Sequence, residues 1–300
     1  MPSVTQTILD ILNQKTARQL DGTTAIIRLL AELRKQIAAE LVSIPAESYA
    51  ALNLRMTLSS IEGHLYTWQS AAGREVTTAL TSMWDQGAAF VPTVASAAGV
   101  YSGIGHISSN LLDTLTEFTT SKLGTVASDL QSRINAEIHL GILGQKTPGQ
   151  IADAILGAGL DAHPDSFMTA RQRATTIVQT EMGRAFSMAS NLGIEKAQET
   201  LPDLEKMWVH AGHPKQARFS HVAAHGQHVK ADERFLIGSI AMKYPRDPAG
   251  GAAHSVHCGC ELVPYMADWY TPDEFLKDWE VQQKKVADRH KKKEATNGKK

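Results

Sequence analysis

"LRMTLSSIEGHLYTWQSAAGREVTTALTSM", residues 54–83, places apolar side chains at Leu54, Leu58, Ile61, Leu65, Trp68, Ala72, Val76, Leu80 and Met83. Steps of three and four held over the whole stretch draw one apolar stripe along a long helix. The first part alternates four and three, as in a coiled-coil seam. Upstream, Ile26, Leu30, Leu33, Ile37 and Leu41 make a shorter stripe, ended by Pro45 because proline lacks the N–H that a helix needs. Downstream, Leu111, Leu115, Phe118, Val126, Leu130, Ile134 and Ile138 make a third, interrupted by Lys122. Three amphipathic helices bury their stripes against one another, so residues 1–144 are expected to form an elongated helical bundle or hairpin. Stripes of this kind are core and take no cofactor. His64, His106 and His139 stand alone and read as surface or satisfied residues. "GAAFVPTVASAAGVYSGIG", residues 87–105, is rich in small residues and broken by Pro92, Gly99, Gly103 and Gly105, and reads as a flexible connector.

The texture changes at residue 144. In "GQKTPGQIADAIL", Thr147 suits an N-cap, Pro148 the first helical position and Gln150 the return arm of a capping box. The next helix, about residues 169–192, carries Ala174, Ile177, Val178, Met182, Ala185, Ala189 and Leu192 on one face, and Asn191 and Gly193 suit its end. Glu181 and Arg184 are spaced to pair on it. Beyond it, the alternation in "HVKADERFLIG" and "CELVPY" predicts short strands, and Trp208 offers about 200 Å² of core area. The expected fold class is mainly α: the N-terminal helical region at 1–144, a small α+β domain at 145–268, and a C-terminal helix with a basic tail at 269–300.

Composition sets outer bounds. Hydrophobic content of 43% and charged content of 20% fit a folded protein able to bury a sizeable core, and argue against global disorder. The N-terminus lacks a basic region followed by an apolar core, so no signal peptide is expected. No apolar run is long enough for a stable membrane span. The chain's two cysteines sit two positions apart, too close to staple a fold, and suit a reducing compartment of assembly.

Five of the twelve histidines fall in "HAGHPKQARFSHVAAHGQH", residues 210–228, and two more join both cysteines in "HSVHCGCELVP", residues 254–264. Cys258 and Cys260, two apart on an extended strand, face the same way and can share one ion. Thiolates with imidazole suit zinc, with His221 and one of His213, His225 or His257 completing a four-coordinate shell. The spacing C-x-C wraps an ion less well than C-x2-C, so a metal-free packing of the same residues stands beside the structural-zinc reading. His221 and His225 have metalloprotease spacing, but no glutamate lies between them and Gly226 follows at once. No oxyanion hole, orienting carboxylate or phosphate-cradling loop marks a nucleophilic or phosphoryl-transfer site. No catalytic residue is assigned and the chain is expected not to be an enzyme; a zinc-dependent hydrolase or nuclease using the His/Cys cluster is the rival. Lys215, Arg218 and His221 lie in one segment, where Arg218 can grip a buried carboxylate such as Glu181 or Asp247. Glu181, Arg184, Trp208, Lys215, Arg218 and Asp247 thus form a candidate structural network.

"RATTIVQTEMGRAFSMASNLG", "KMWVHAGHPKQARFSHVAAHGQHV" and "FLIGSIAMKYPRDPAGGAAHSVHCGCELVP" together resemble the phage Mu protein F-like family of minor head, or head morphogenesis, proteins of tailed bacteriophages. The resemblance covers about residues 145–265: a helix with T-E-x-x-R-A, a tryptophan, K-x-x-R-x-x-H, a glycine before a strand, Pro-Asp-Pro-like turn residues Pro245, Asp247 and Pro248, and a terminal C-x-C. Here the C-x-C reads His257-Cys258-Gly259-Cys260, which adds imidazole beside the thiols. The resemblance implies structural work in the virion. The expected place is the head interior near the portal, after assembly in the host cytoplasm. The expected partners are portal and major capsid protein, and the expected roles head assembly or DNA ejection.

The tail starts a helix with Thr271 as cap, Pro272 next and Asp273 and Glu274 in the first turn. Residues 284–300 carry eight Lys/Arg against two acids, and Lys291, Lys292 and Lys293 are candidates for salt-sensitive, sequence-independent contact with packaged DNA.

Overall fold

The computed structural model describes residues 3–43, 51–100, 103, 105, 107–156, 166–210 and 217–297, with the side chains of 51–52, 148, 166–168 and 286–297 left aside. Pro45, His106, His213 and Lys215, and the side chains of Lys291, Lys292 and Lys293, fall outside that description. The chain is mainly helical. Long helices α1 (Val4–Val42), α2 (Ala51–Ala97), α3 (Asn110–Ile142) and α5 (Ser166–Ala197) are joined by a short α4 (Pro148–Leu156). A mixed segment follows: β1 (Glu205–Val209), α6 (Phe219–Ala223), β2 (His228–Lys230), β3 (Phe235–Ile237), β4 (Ile240–Met242), α7 (Gly251–Ser255) and β5 (Glu261–Tyr265). Helix α8 (Pro272–Asn297) ends the description.

Packing divides the chain into two units that do not follow a single cut. One comprises residues 19–80 and 110–181; the other comprises 1–18, 81–109 and 182–300. The first unit is all helical. Leu54, Ile61, Leu65, Trp68, Ala72, Val76 and Leu80 are buried as their spacing requires. On α3 Leu115, Val126, Leu130, Ile134 and Ile138 are buried as expected, whereas Leu111 and Phe118 stay substantially exposed and Leu112, Thr119 and Leu123 point inward. The Lys122 ammonium covers the Phe118 ring and ion-pairs with buried Glu181 at 3.2 Å. At the start of α4, Gln150 N donates to Thr147 Oγ1 at 3.2 Å and Thr147 N to Gln150 Oε1 at 2.9 Å, the reciprocal bonds of a capping box.

The second unit holds the sheet. Three antiparallel strands lie in the order β2-β1-β5, and β3 pairs with β4 in a separate hairpin. Every residue of β5 and all but the first of β1 are buried, so β1 reads as a near-continuous apolar run around Lys206. The connector expected at 87–105 is corrected in its first half: α2 continues through Ala97 with Pro92 inside it. The small residues there serve close packing. A Cβ on Gly87 would lie 2.5 Å from the Phe186 carbonyl oxygen, and Phe90, Val91, Val94 and Ala95 are buried. Likewise α5 runs past Asn191 and Gly193 to Ala197, because Gly193 takes contact from Val91 rather than ending the helix.

Lys206 on β1 is buried and donates to Asn191 Oδ1 at 2.9 Å. Burial, partly offset by Glu195, lowers its pKa to about 8. Between about 8 and the ordinary value of 10.5 the unfolded chain binds a proton that the folded chain does not, so stability rises with pH across that window. Denaturant melts at pH 7.5 and 10 are expected to show this rise, and Lys206→Met to flatten it; an unchanged slope in that variant counts against the assignment.

Among the described residues, no helix is long and apolar enough to cross a membrane.

Candidate metal centre

His221, Cys258 and Cys260 converge. One ligand atom from each lies within 4.8 Å of the others, and all three side chains are buried. His221 Nδ1 is 3.3 Å from Cys260 Sγ and 3.6 Å from Cys258 Sγ. Three short elements bring them together. Helix α6 turns His221 inward while Phe219 faces solvent. Cys258 follows α7 in a turn closed by its own N–H to Ser255 O at 3.2 Å, and Cys260 immediately precedes β5. His257, at φ +53, lies in the turn between α7 and Cys258, and the C-x-C itself runs between that turn and β5 rather than within the strand. Trp208 packs edge-on to His221, with centroids 5.6 Å apart and planes at 84°.

The thiols share their protons unequally. A hydrogen bond from Cys260, opposed by burial and helped by His221 and the Arg246 charge, holds the Cys258 thiol well below its usual range. Cys260, hydrogen-bonded to Cys258 and buried, is pushed up. Two buried thiols beside an imidazole nitrogen are the donor set that soft divalent metals take, and these three residues can hold one. His257 is exposed and not part of the converging set, which corrects its place among the candidate ligands. His225 is engaged elsewhere, its Nδ1 accepting the His210 N–H at 2.9 Å, and burial lowers its pKa.

A second layer surrounds the thiols. Arg246, held at φ +70, donates to Cys260 O at 3.0 Å, to Ser187 Oγ at 3.3 Å and to Glu261 Oε1 at 3.4 Å. The same Glu261 oxygen accepts from Lys15 of α1, which is fully buried. Burial lowers the Lys15 pKa, with Glu261 opposing that shift. For Arg246, burial is more than offset by Glu261 and the two cysteines, so its charge is reinforced. Lys15, Arg246 and Glu261 were not among the sequence candidates, nor was His254, whose ring lies edge to edge with His221, centroids 5.2 Å apart and planes at 9°. Burial, with His221 and Arg218 nearby, lowers the His254 pKa.

The expected polar network is rebuilt in part. Arg184 Nε donates to Arg246 O at 2.9 Å, and Trp208 is fully buried. Asp247 accepts from Lys243 N at 2.6 Å and Ala249 N at 2.9 Å, capping a 3-10 turn at Pro248–Gly250. The carboxylate grip expected of Arg218 is corrected: its guanidinium donates to the Val256 carbonyl at 2.6 Å, tying α6 to the turn that carries Cys258. Gly183, inside the T-E-x-x-R-A stretch, has a steric role that spacing alone does not reveal. A Cβ there would sit 2.5 Å from Arg246 Nε and 2.7 Å from Cζ. Because that guanidinium is fixed by three bonds, Gly183→Ala is expected to cost about 1–3 kcal/mol in denaturant melts; a cost below about 0.5 kcal/mol would show that the ring of contacts yields.

No protein-family model matches the chain, and no solved structure matches it. Over 102 residues the chain is 33% identical to the NAD(+)--arginine ADP-ribosyltransferase EFV of Enterococcus faecalis (strain ATCC 700802 / V583). The match spans 34% of this chain and 20% of that protein. The expectation that the chain is not an enzyme is corrected by this similarity to part of a named transferase.

Proposed function

We propose that this chain is a minor head protein of a tailed bacteriophage, associated with the portal inside the head and acting in head assembly, DNA ejection or both. The observation that carries this reading is the grouping of the residues marked by the Mu F-like resemblance. Arg184, Trp208, His221, Asp247, Cys258 and Cys260 are spread over the sequence yet fall in one compact unit, where His221, Cys258 and Cys260 converge, while Glu181 of the same motif falls in the other unit. In this reading His221, Cys258 and Cys260 supply three of the four ligands of a structural zinc ion, and their chemistry suits it: two thiols and an imidazole, buried, with the Arg246 charge lowering the Cys258 thiol. The long helices supply docking surface for portal and capsid protein, and Lys291, Lys292 and Lys293 meet packaged DNA. Proteomics of purified particles, followed by capture on immobilised portal protein, tests the assignment. The chain is expected in particles and on the portal; its absence from particles ends the reading. Elemental analysis of purified protein is expected to find stoichiometric zinc that Cys258→Ser and Cys260→Ser each remove.

The similarity to the E. faecalis protein favours a second reading, transfer of ADP-ribose from NAD+ to arginine. Incubation with NAD+ and an arginine acceptor tests it: nicotinamide release above the blank supports it, and no release removes it.

A further inference from the structure

We propose that His254 is the positioning residue of the metal centre, accepting the Nε2–H of His221 and so fixing the tautomer in which His221 Nδ1 faces the two sulfurs. The inference rests on the metal reading above and adds a residue and an atom-level role to it.

The geometry is one of two faces of a single ring. Toward the thiols, His221 presents Nδ1, at 3.3 Å from Cys260 Sγ and 3.6 Å from Cys258 Sγ. On its other side, Nε2 lies 3.0 Å from His254 Nδ1. A neutral imidazole carries one N–H and one lone pair, and only the tautomer protonated at Nε2 leaves the Nδ1 lone pair for a metal. Two nitrogens at 3.0 Å need one donor and one acceptor. With His221 donating in the metal-bound centre, His254 accepts through Nδ1 and carries its own proton on Nε2. The two rings lie edge to edge and nearly coplanar, with centroids 5.2 Å apart and planes at 9°, and Trp208, edge-on at 84°, packs against the same imidazole, so His221 is held in orientation from both sides. Ligating histidines elsewhere are held by the same device, usually with a carboxylate or carbonyl as acceptor; loss of that acceptor weakens metal binding about 10–100-fold.

His254 lies on the short helix α7 and is only half-buried, so substitution there spares the core. Three full-length proteins separate the acceptor from the bulk of the ring: wild type, His254→Phe, which keeps a flat ring without an acceptor, and His254→Asn, whose side-chain oxygen reproduces the position of Nδ1. Zinc affinity by chelator competition is expected to fall about 10–100-fold in His254→Phe and to return to within a few-fold in His254→Asn. In zinc-loaded wild type, long-range 1H–15N correlation is expected to place the His221 proton on Nε2 and the metal on Nδ1. Undiminished affinity in His254→Phe, or a proton on Nδ1, overturns the positioning role and leaves the metal reading standing. Wild type that binds neither zinc nor cobalt overturns the metal reading and this inference with it.

Discussion

Glu261→Ala is expected to destabilise the protein by about 3–5 kcal/mol, the cost of leaving buried charge without its partner. The Glu261 carboxylate receives Lys15 and Arg246 on the same oxygen, and both of those side chains are buried. Its other oxygen, Oε2, is buried and makes no hydrogen bond among the described residues, so the group is already held with one acceptor unsatisfied. Removing the carboxylate strands two cations at once. Lys15→Met is expected to be far milder, because it removes a buried charge and leaves Glu261 paired with Arg246. Urea melts of the two variants provide the check, and hydrogen exchange in residues 4–18 provides a local one. If Glu261→Ala and Lys15→Met cost the same within about 0.5 kcal/mol, the shared carboxylate is not what holds these cations.

Trp208→Ala is expected to cost about 3–5 kcal/mol and to weaken the centre as well as the core. The indole is fully buried and touches Phe235 at 5.4 Å between centroids and His221 at 5.6 Å. Truncation empties a space beside the His221 imidazole, freeing His221 to turn. Trp208→Phe is the informative companion. The indole N–H interacts with the Cys260 thiol, so Phe forfeits volume and one weak N–H···S contact and should cost about 1–2 kcal/mol. A Phe variant as damaged as the Ala variant would mean that the indole N–H has a partner of consequence.

The helices were legible because burial on a helix repeats every three or four residues, and the α2 stripe from Leu54 to Leu80 needed no other information. The convergence of His221 with Cys258 and Cys260 was legible from residue type, although the turn that achieves it was not. What stayed hidden depended on partners distant in sequence. Lys15 is the clearest case. Ile8, Leu12, Lys15, Ile26 and Leu30 share one buried face of α1, so a lysine in that seam signals a buried counter-ion but does not name it. Glu261 lies 246 positions away. Arg246, between two prolines, gave no hint from periodicity, since its αL backbone is set by the turn and its side-chain direction by Ser187, Cys260 and Glu261. His254 was counted only as part of a histidine-rich run, because a second imidazole hydrogen-bonded to the first leaves no spacing signature.

The unit that contains Lys15 also contains residues 182–300, and this has a bearing on synthesis. At ribosomal speeds of about 5–20 residues per second, the 246 positions separating Lys15 from Glu261 take roughly 10–50 s to translate. Throughout that interval the nascent chain carries an ammonium group in an otherwise greasy seam, which discourages premature or mistaken docking of that segment. Residues 19–80 and 110–181, in contrast, are complete before the last third emerges, so the all-helical unit has every part it needs while the other still awaits its carboxylate.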